Sequence, residues 1–401
     1  MADKTKNDAG KRQQPMTAED KRQMRRRRAR RRAIVRAIVV VLVCGLLVFL
    51  WQNWDWVAPD KLIASFSDWM DGGTGNYPVD LSGTGVQRLA RVEDYTVLLT
   101  DSHLIYYDKN GAEMNRYSCA IPSGLVRTAG DYVLLAEQGG KRLHLSTRGE
   151  VVLEIQADYE ILSVALNEDG QFAVLTDGPQ GYVVQVKVYD RKGKVLYTRS
   201  RSRTASDVAL SWDGSEVALL SLVAEEGNLN TFVEVFPLDS TSAEASHSHS
   251  VKDVLLYRLN YFGKHRLAAV GGDHLVLMNT DSGDVTEYAP KEMRFLGYAM
   301  GENQLALALR PYGDTGDGEI HILDGNATLL GMATFAGDFR QITAAEEGYL
   351  LLTDRYVQRI TEDGAEGKAA VAADGRETVP EGDRAVVLGL NRLDIFDLEE
   401  E

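Results

Sequence analysis

The chain has 401 residues and a net charge of −15, and it is long enough to build an ample core without covalent staples. Of its 2 cysteines, Cys44 lies in an apolar run and Cys119 lies far along the chain, which excludes an intrachain disulfide between them. The charge is uneven: residues 1–36 hold 14 Lys or Arg and 4 Asp or Glu, a net of +10, which leaves −25 for the remainder. The two parts are therefore expected to face different surroundings.

An apolar segment follows the basic tail. Residues 37–51, AIVVVLVCGLLVFLW, carry no charge, and together with residues 33–36 they would form a helix about 28 Å long, close to the bilayer core. We predict a disordered basic tail over residues 1–32 and one transmembrane helix over residues 33–51. Arg36 would snorkel at one end, and Trp51, Trp54 and Trp56 would lie in the interfacial belt at the other. A cleaved signal peptide is the alternative, but no small-x-small cleavage site follows Trp51.

The arginines before the span set its orientation. Under the positive-inside rule, the N-terminus is cytoplasmic and everything after Trp51 is extracellular. An exported domain without disulfides suits a bacterial surface, so we expect a single-pass protein of the bacterial cell membrane. We interpret the basic tail as a topology signal, with contact to anionic lipid compatible and no role in binding nucleic acid.

Residues 52–76 connect the span to the rest of the chain. Apolar side chains recur at helical spacing at Leu62, Ile63, Phe66, Trp69 and Met70, which predicts an amphipathic helix. The helix would lie either on the outer leaflet or against the following domain. Residues 71–76, DGGTGN, have the composition of a flexible joint.

Eight times between Asp94 and Leu390, a polar turn precedes a short apolar run typical of one strand. The runs recur about every 41 residues, within the ~40–50 residues of a propeller blade. Around each run we expect a lead-in strand, a hairpin partner and a more polar fourth strand, and four strands make a blade. The runs are TVLLT from Thr96, YVLLA from Tyr132, QFAVLT from Gln171, EVALLSL from Glu216, RLAAV from Arg266, QLALAL from Gln304, YLLLT from Tyr349 and RAVVLGL from Arg384. We predict an all-β, eight-bladed β-propeller over residues 77–401, with seven blades as the alternative.

The ends of the repeat region predict how the ring closes. The last unit stops at RLDIFDLEEE, after its third strand, and an extended segment at Tyr77–Ser82 stands alone before the first unit. We expect this N-terminal strand to complete the last blade. Pro78 suits an outermost strand, where a missing backbone donor is tolerated. The least regular of the predicted fourth strands is Ala243–Val251 (AEASHSHSV).

Candidates for chemistry are few. Asp314, Asp317 and Glu319 offer oxygens to a hard cation, but they lack the twelve-residue spacing of a calcium loop, so a plain turn is favoured. His247 and His249 share a face of an extended strand and could form a weak metal site, although a solvated loop is favoured. No GxSxG, HExxH, P-loop or Rossmann motif occurs. We therefore expect no catalytic residue, no cofactor and no resident metal.

Three resemblances bear on the repeats and the whole chain. Residues 279–288, NTDSGDVTEY, resemble the DxxTGxxxW tail of quinoprotein blades once and without its tryptophan, so no quinone is expected. Residues 211–220 and 167–175 resemble the SPDGxxLA pattern of bacterial WD40-like interaction propellers, where the DG pair makes a turn. The basic tail RRRRARRRAIVR, the span, the segment WVAPDKLIASFSDW and the blades are together similar to a bacterial family of unknown function, found mainly in Gram-positive anaerobes. That resemblance implies a single-span membrane protein with an extracellular propeller, and it supplies no activity.

The sequence therefore favours a non-enzymatic, membrane-anchored extracellular propeller that binds a protein or glycan through its ring face. The acidic surface should favour basic partners or cations. One alternative is an envelope hydrolase or lyase, which would place a cluster of acidic residues in the propeller channel. The other alternative is a factor for envelope assembly.

Overall fold

A computed structural model describes residues 76–119, 121, 123–225, 227–313 and 316–398. These residues form 32 β-strands in eight four-stranded sheets, the blades of a β-propeller. Within these ranges there is no helix of the length and apolarity needed to cross a membrane. The predicted tail, span and juxtamembrane helix fall outside the described residues, which begin at Asn76.

Each blade is an antiparallel meander whose first strand lies next to the first strands of neighbouring blades and lines the central channel. The strands are listed here by their position in the blade. The first strands are β2 (Val86–Val92), β6 (Gly124–Ala129), β10 (Ile161–Leu166), β14 (Thr204–Leu210), β18 (Leu256–Tyr261), β22 (Met293–Met300), β26 (Phe339–Ala344) and β30 (Glu377–Glu381). The second strands are β3 (Tyr95–Thr100), β7 (Tyr132–Glu137), β11 (Phe172–Asp177), β15 (Glu216–Glu225), β19 (Arg266–Gly271), β23 (Gln304–Pro311), β27 (Tyr349–Thr353) and β31 (Arg384–Leu388).

The third and fourth strands lie progressively further from the channel. The third strands are β4 (His103–Tyr107), β8 (Arg142–Thr147), β12 (Val184–Tyr189), β16 (Asn228–Pro237), β20 (Leu275–Asn279), β24 (Gly318–Asp324), β28 (Tyr356–Thr361) and β32 (Arg392–Asp397). The fourth strands are β5 (Glu113–Ser118), β9 (Glu150–Gln156), β13 (Val195–Arg201), β17 (His247–Lys252), β21 (Val285–Tyr288), β25 (Leu329–Phe335), β29 (Gly364–Ala370) and β1 (Val79–Asp80). The irregular segment predicted at Ala243–Val251 thus pairs as β17, shifted toward the C-terminus.

All eight predicted apolar runs are second strands, and the eight-blade count is confirmed over its seven-blade alternative. These strands read as continuous apolar runs because both of their faces are covered. In β3, Val97 and Leu99 pack toward the second blade, whereas Leu98 packs toward the last blade. A strand covered on both faces has no polar alternation, as in other buried sheets.

Burial is organised by the interfaces between blades. Eight clusters of buried side chains occur among the described residues, and each joins two neighbouring blades. Because a single four-stranded sheet cannot bury both of its faces, stacking on its neighbours supplies the core. Each blade therefore shares its buried core with both of its neighbours.

The closing interface uses the N-terminal strand, as predicted. β1 pairs with β32 through Val79 opposite Leu393 and Asp80 opposite Arg392, and the Leu81 amide donates to the Asn391 carbonyl at 2.8 Å. The paired segment is shorter than the predicted Tyr77–Ser82. It completes the sheet β1–β32–β31–β30, so the first and last described strands belong to the same blade.

The two ends of the channel differ in the loops that surround them. One end carries the starts of the first strands and the loops between second and third strands. We call it the arginine face, for the side chains described below. The other end carries the turns between first and second strands and those between third and fourth strands. We call it the turn face. The described chain begins on the turn face, where the Asn76 amide donates to the Asn110 carbonyl at 2.7 Å, in the turn between β4 and β5.

Candidate binding site in the channel

The arginine face opens into a cavity of about 480 Å³. Three arginines from the first strands of three blades line it: Arg88 on β2, Arg127 on β6 and Arg258 on β18. Gln87 and Gln138 add polar side chains. No Asp or Glu of the described residues belongs to the lining, so this end of the channel is cationic although the chain as a whole is acidic.

Arg127 lies deepest of the three arginines. It is half-buried, whereas Arg88 and Arg258 are exposed, and it also lines a second cavity closer to the turn face. Burial lowers the pKa of Arg127; Asp207 opposes that shift, and the charges of Arg258 and Arg88 add to it. Arg127 is therefore near enough to Arg88 and Arg258 to be affected by both of their charges, and the charge of Asp207 acts against that effect.

Asp207, the carboxylate that affects Arg127, already accepts two hydrogen bonds. Asp207, on β14, is 2% exposed. Its Oδ1 accepts a hydrogen bond from the Ser163 hydroxyl at 2.5 Å, and its Oδ2 accepts one from the Leu259 amide at 2.9 Å. These bonds connect the first strands of three successive blades, so Asp207 holds the channel wall together and is satisfied without an arginine.

The second cavity, of about 260 Å³, is surrounded by the last residues of β6, β10, β14 and β18 and by the turns that follow them. Asn167, Trp212 and Tyr261 are among its lining, and Glu168 is its one carboxylate in the described residues. Hydrolysis by a pair of carboxylates needs both groups in one cavity, one as the general acid and the other as the base or nucleophile. Neither this cavity nor the cavity at the arginine face is lined by such a pair among the described residues.

Exposed apolar side chains are distributed unevenly over the propeller. Six of the large ones lie on loops or strand starts of the arginine face, and seven lie on fourth strands at the circumference. Those of the arginine face are Tyr182, Val183, Leu255, Tyr257, Tyr312 and Leu390. Tyr257 directly precedes the channel residue Arg258, so apolar and cationic groups are adjacent there. These six come from four of the eight blades, and none of the large exposed apolar side chains of the described residues lies on the turn face, so the arginine face is the more apolar of the two ends.

The structure describes only some of the residues considered for a metal. Asp314 lies outside the described residues. Glu319 is on β24, and its carboxylate faces the His321 Nε2 at 2.8 Å. Among the residues that the structure describes, no group of three or more His, Cys, Asp or Glu is placed to hold a metal ion. Asp317 and Glu319 thus gain no support as cation ligands.

His247 and His249 lie half-buried on one face of β17, so the solvated loop favoured for them from the sequence is wrong. The Nε2 of His249 lies 2.9 Å from one oxygen of Glu287. The Nε2 of His274 lies 2.9 Å from the other oxygen. The glutamate therefore links the outer strands of two blades.

The anchor residues Arg36, Trp51, Trp54 and Trp56 lie outside the described residues. Arg88, Arg127 and Arg258 were not among the residues predicted from the sequence. One signal was available, because each is an arginine inside a lead-in strand, in GVQRLARV, LVRTAG and LYRLNY. Their convergence, however, depends on the ring geometry, which the strand pattern alone does not contain.

The comparisons with known proteins agree with this architecture. The model of the family of unknown function DUF5711 matches residues 78–376. No curated protein matches.

Among solved structures, Raptor of Chaetomium thermophilum is similar at a TM-score of 0.50 and 9% identity, covering 82% of this chain and 28% of that one. Hsv2 of Kluyveromyces lactis has a TM-score of 0.45 at 9% identity and covers 73% of this chain and 100% of its own. The WD40 domain of Neurospora crassa Pan2 has a TM-score of 0.44 at 8% identity, with coverage of 78% and 86%. Identities this low concern the fold alone.

Proposed function

The chain belongs to DUF5711, a family of unknown function, and we propose that its propeller is a membrane-anchored, extracellular binding module that docks a protein partner on the arginine face. The observation that carries the proposal is the set of exposed apolar side chains around that end of the channel. The module is proposed to be non-enzymatic. The rival hydrolase or lyase would need paired carboxylates in the channel, and the cavity at the arginine face offers arginines instead.

The two ends of the described chain lie on the turn face. Asn76 contacts the turn between β4 and β5, and the Leu398 amide donates to the Asp383 carbonyl in the turn between β30 and β31 at 3.4 Å. The proposed docking face is the opposite end of the propeller.

Site-specific photo-cross-linking tests the docking face. A photoreactive residue replaces Leu255, 51% exposed on the arginine face, in the full chain expressed in the bacterial membrane. The matched control replaces Met114, 55% exposed on the fourth strand β5. We expect a discrete adduct with one protein at Leu255 and none at Met114. Equal adducts at both positions, or none at either, would contradict the docking proposal.

Cysteine labelling tests the topology separately. Thr241→Cys places a thiol on an exposed loop of the propeller, and Ala9→Cys places one in the basic tail. The native Cys119 is buried and gives little background. A membrane-impermeant maleimide should label intact cells at position 241 and leave position 9 unlabelled until the cells are opened. The reverse pattern would refute an extracellular propeller.

A further inference from the structure

The three arginines of the channel differ in the partners that they have. Of the three, only Arg88 has a carboxylate partner in the described residues, through its Nη1 and the Glu377 Oε1 at 3.0 Å. Arg127 donates only to the neighbouring Val126 carbonyl at 3.1 Å, and Arg258 only to the Tyr257 carbonyl, at 3.5 Å. A guanidinium has five N–H donors, so most of the donors of both residues have no acceptor among the residues that the structure describes.

Without a ligand, this arrangement of arginines raises the free energy of the folded protein. A half-buried cation next to two like charges loses hydration and is repelled by its neighbours. The chain has 59 acidic residues against 44 basic ones, so carboxylates are abundant elsewhere on the surface. None lines this cavity in the part of the chain that the structure describes. A bound anion would give Arg127 and Arg258 a hydrogen-bonded counter-charge, whereas the nearby Asp207 carboxylate offsets the charge of Arg127 only through space.

The groups in and around the cavity indicate which class of anion would bind there. The planar fork of arginine matches carboxylates and phosphates, which it binds through two parallel hydrogen bonds. The acidic exterior repels a long polyanion, so a short anionic group that enters the cavity is favoured over a charged polymer. Leu255 and Tyr257 are exposed beside Arg258, and they need apolar groups on the same ligand. Carboxylates flanked by apolar side chains are found in acidic protein segments.

We propose that the arginine cavity binds carboxylate side chains of an acidic, apolar protein segment, with Arg127 and Arg258 as its principal contacts and Arg88 at its rim. This inference rests on the proposed function, because it names the part of the partner that the arginine face recognises.

Peptide binding to the full chain in nanodiscs of zwitterionic lipid tests the inference. The probe is a fluorescent octapeptide of alternating Glu and Leu, and its matched control alternates Gln and Leu. Arg127→Met and Arg258→Met are compared with Arg294→Met, an exposed arginine of β22 that lines neither cavity. The basic tail is present in every variant, so differences between variants report on the cavity. Thermal unfolding of each variant shows whether the fold is retained. Because Arg258 is exposed and Arg127 is half-buried, Arg258→Met should disturb the fold less than Arg127→Met.

We expect the Glu peptide to bind more tightly than the Gln peptide, and either cavity variant to weaken binding roughly tenfold to a hundredfold, the loss of charge-assisted hydrogen bonds. Arg294→Met should change binding less than twofold. Equal loss in all three variants would overturn the inference, because the peptide would then be sensing net charge. Competition by millimolar inorganic phosphate that equals competition by unlabelled peptide would also overturn it, since the site would then select a small anion.

The outcomes of this experiment and of the cross-linking experiment are distinguishable. If an adduct forms at Leu255 but the Glu peptide does not bind, the docking face stands and the acidic segment is wrong. If the Glu peptide binds at the arginines but no adduct forms, the anion site stands and the docking proposal fails.

Discussion

The ion pair between Arg91 and Glu381 is expected to hold the ring closed. Arg91 is on β2 and Glu381 on β30, the first strands of the first and last blades. The pair is bidentate, with Arg91 Nη2 donating to Glu381 Oε1 at 3.0 Å and Nη1 donating to the other oxygen. The side chains are only 20% and 7% exposed. Burial raises the pKa of Glu381, and Arg91 opposes that shift.

Removing one partner leaves a buried charge without compensation, which typically costs about 3–5 kcal/mol. We therefore expect Arg91→Met and Glu381→Leu each to lower the free energy of unfolding by about that amount. The double variant should lose much less than the sum of the two losses, because no charge remains buried. The measurement is urea unfolding of the full chain, followed by circular dichroism.

A matched pair on the same two strands provides the control. Arg88 and Glu377 also connect β2 to β30, but the Arg88 side chain is 64% exposed. Exposed ion pairs contribute about 0–1 kcal/mol, so Arg88→Met should have a small effect on stability. If the losses at Arg91 and Glu381 were additive, or no larger than the loss at Arg88, the buried pair would not be what closes the ring.

Three further predictions concern stability. A hydrogen bond with Asp131, together with burial and nearby charges, raises the pKa of Glu93 from 4.5 to about 7. The stability linked to that shift is complete below the pKa of the unfolded state and is lost as the pH rises through 7. Glu93→Gln should therefore raise Tm at pH 8 and leave it nearly unchanged at pH 4, and equal changes in Tm at both pH values would contradict this explanation. Leu134→Ala, at a site with 0% exposure, should cost about 2–5 kcal/mol in urea unfolding, against less than about 0.5 kcal/mol for Leu330→Ala at 40% exposure. Asp190→Ala removes an acceptor from the Lys192 and Lys194 amides and should cost roughly 1 kcal/mol in the same assay; a loss near zero would mean that the turn forms without its side chain.

The sequence predicted the blades well because their signals are local. A second strand such as β7 is apolar from Tyr132 to Ala136, since both of its faces are covered there, and tight turns repeat Asp and Gly. The closing strand was predictable from a count, because the last unit lacked one strand. The turn at Asp108–Gly111 follows the same logic, with Gly111 at a φ of 76° and the Asp108 carboxylate accepting the Asn110 and Ala112 amides.

The channel site was not predictable because its residues come from separate blades. The midpoints of three lead-in strands converge only once the ring is closed, and the side that each strand shows to the channel depends on its register. Register shifts occur in β2 and β18, at Val86/Arg88 and Leu256/Arg258. Net charge was also a poor guide, because the sum of −15 hides a cationic cavity. Interface polar groups such as Glu287 with its two histidines were missed for the same reason.

The site and the closure of the ring share one residue. Arg88 lines the arginine cavity and is held by Glu377 across the interface that β1 completes. Glu377 also accepts the Leu89 amide at 2.5 Å, so it fixes the backbone of β2 beside Arg88. Any loosening of the closing interface would therefore move one of the three guanidinium groups relative to Arg127 and Arg258. Anion binding at the cavity should in turn favour the closed ring, because the anion binds most tightly when the three arginines converge.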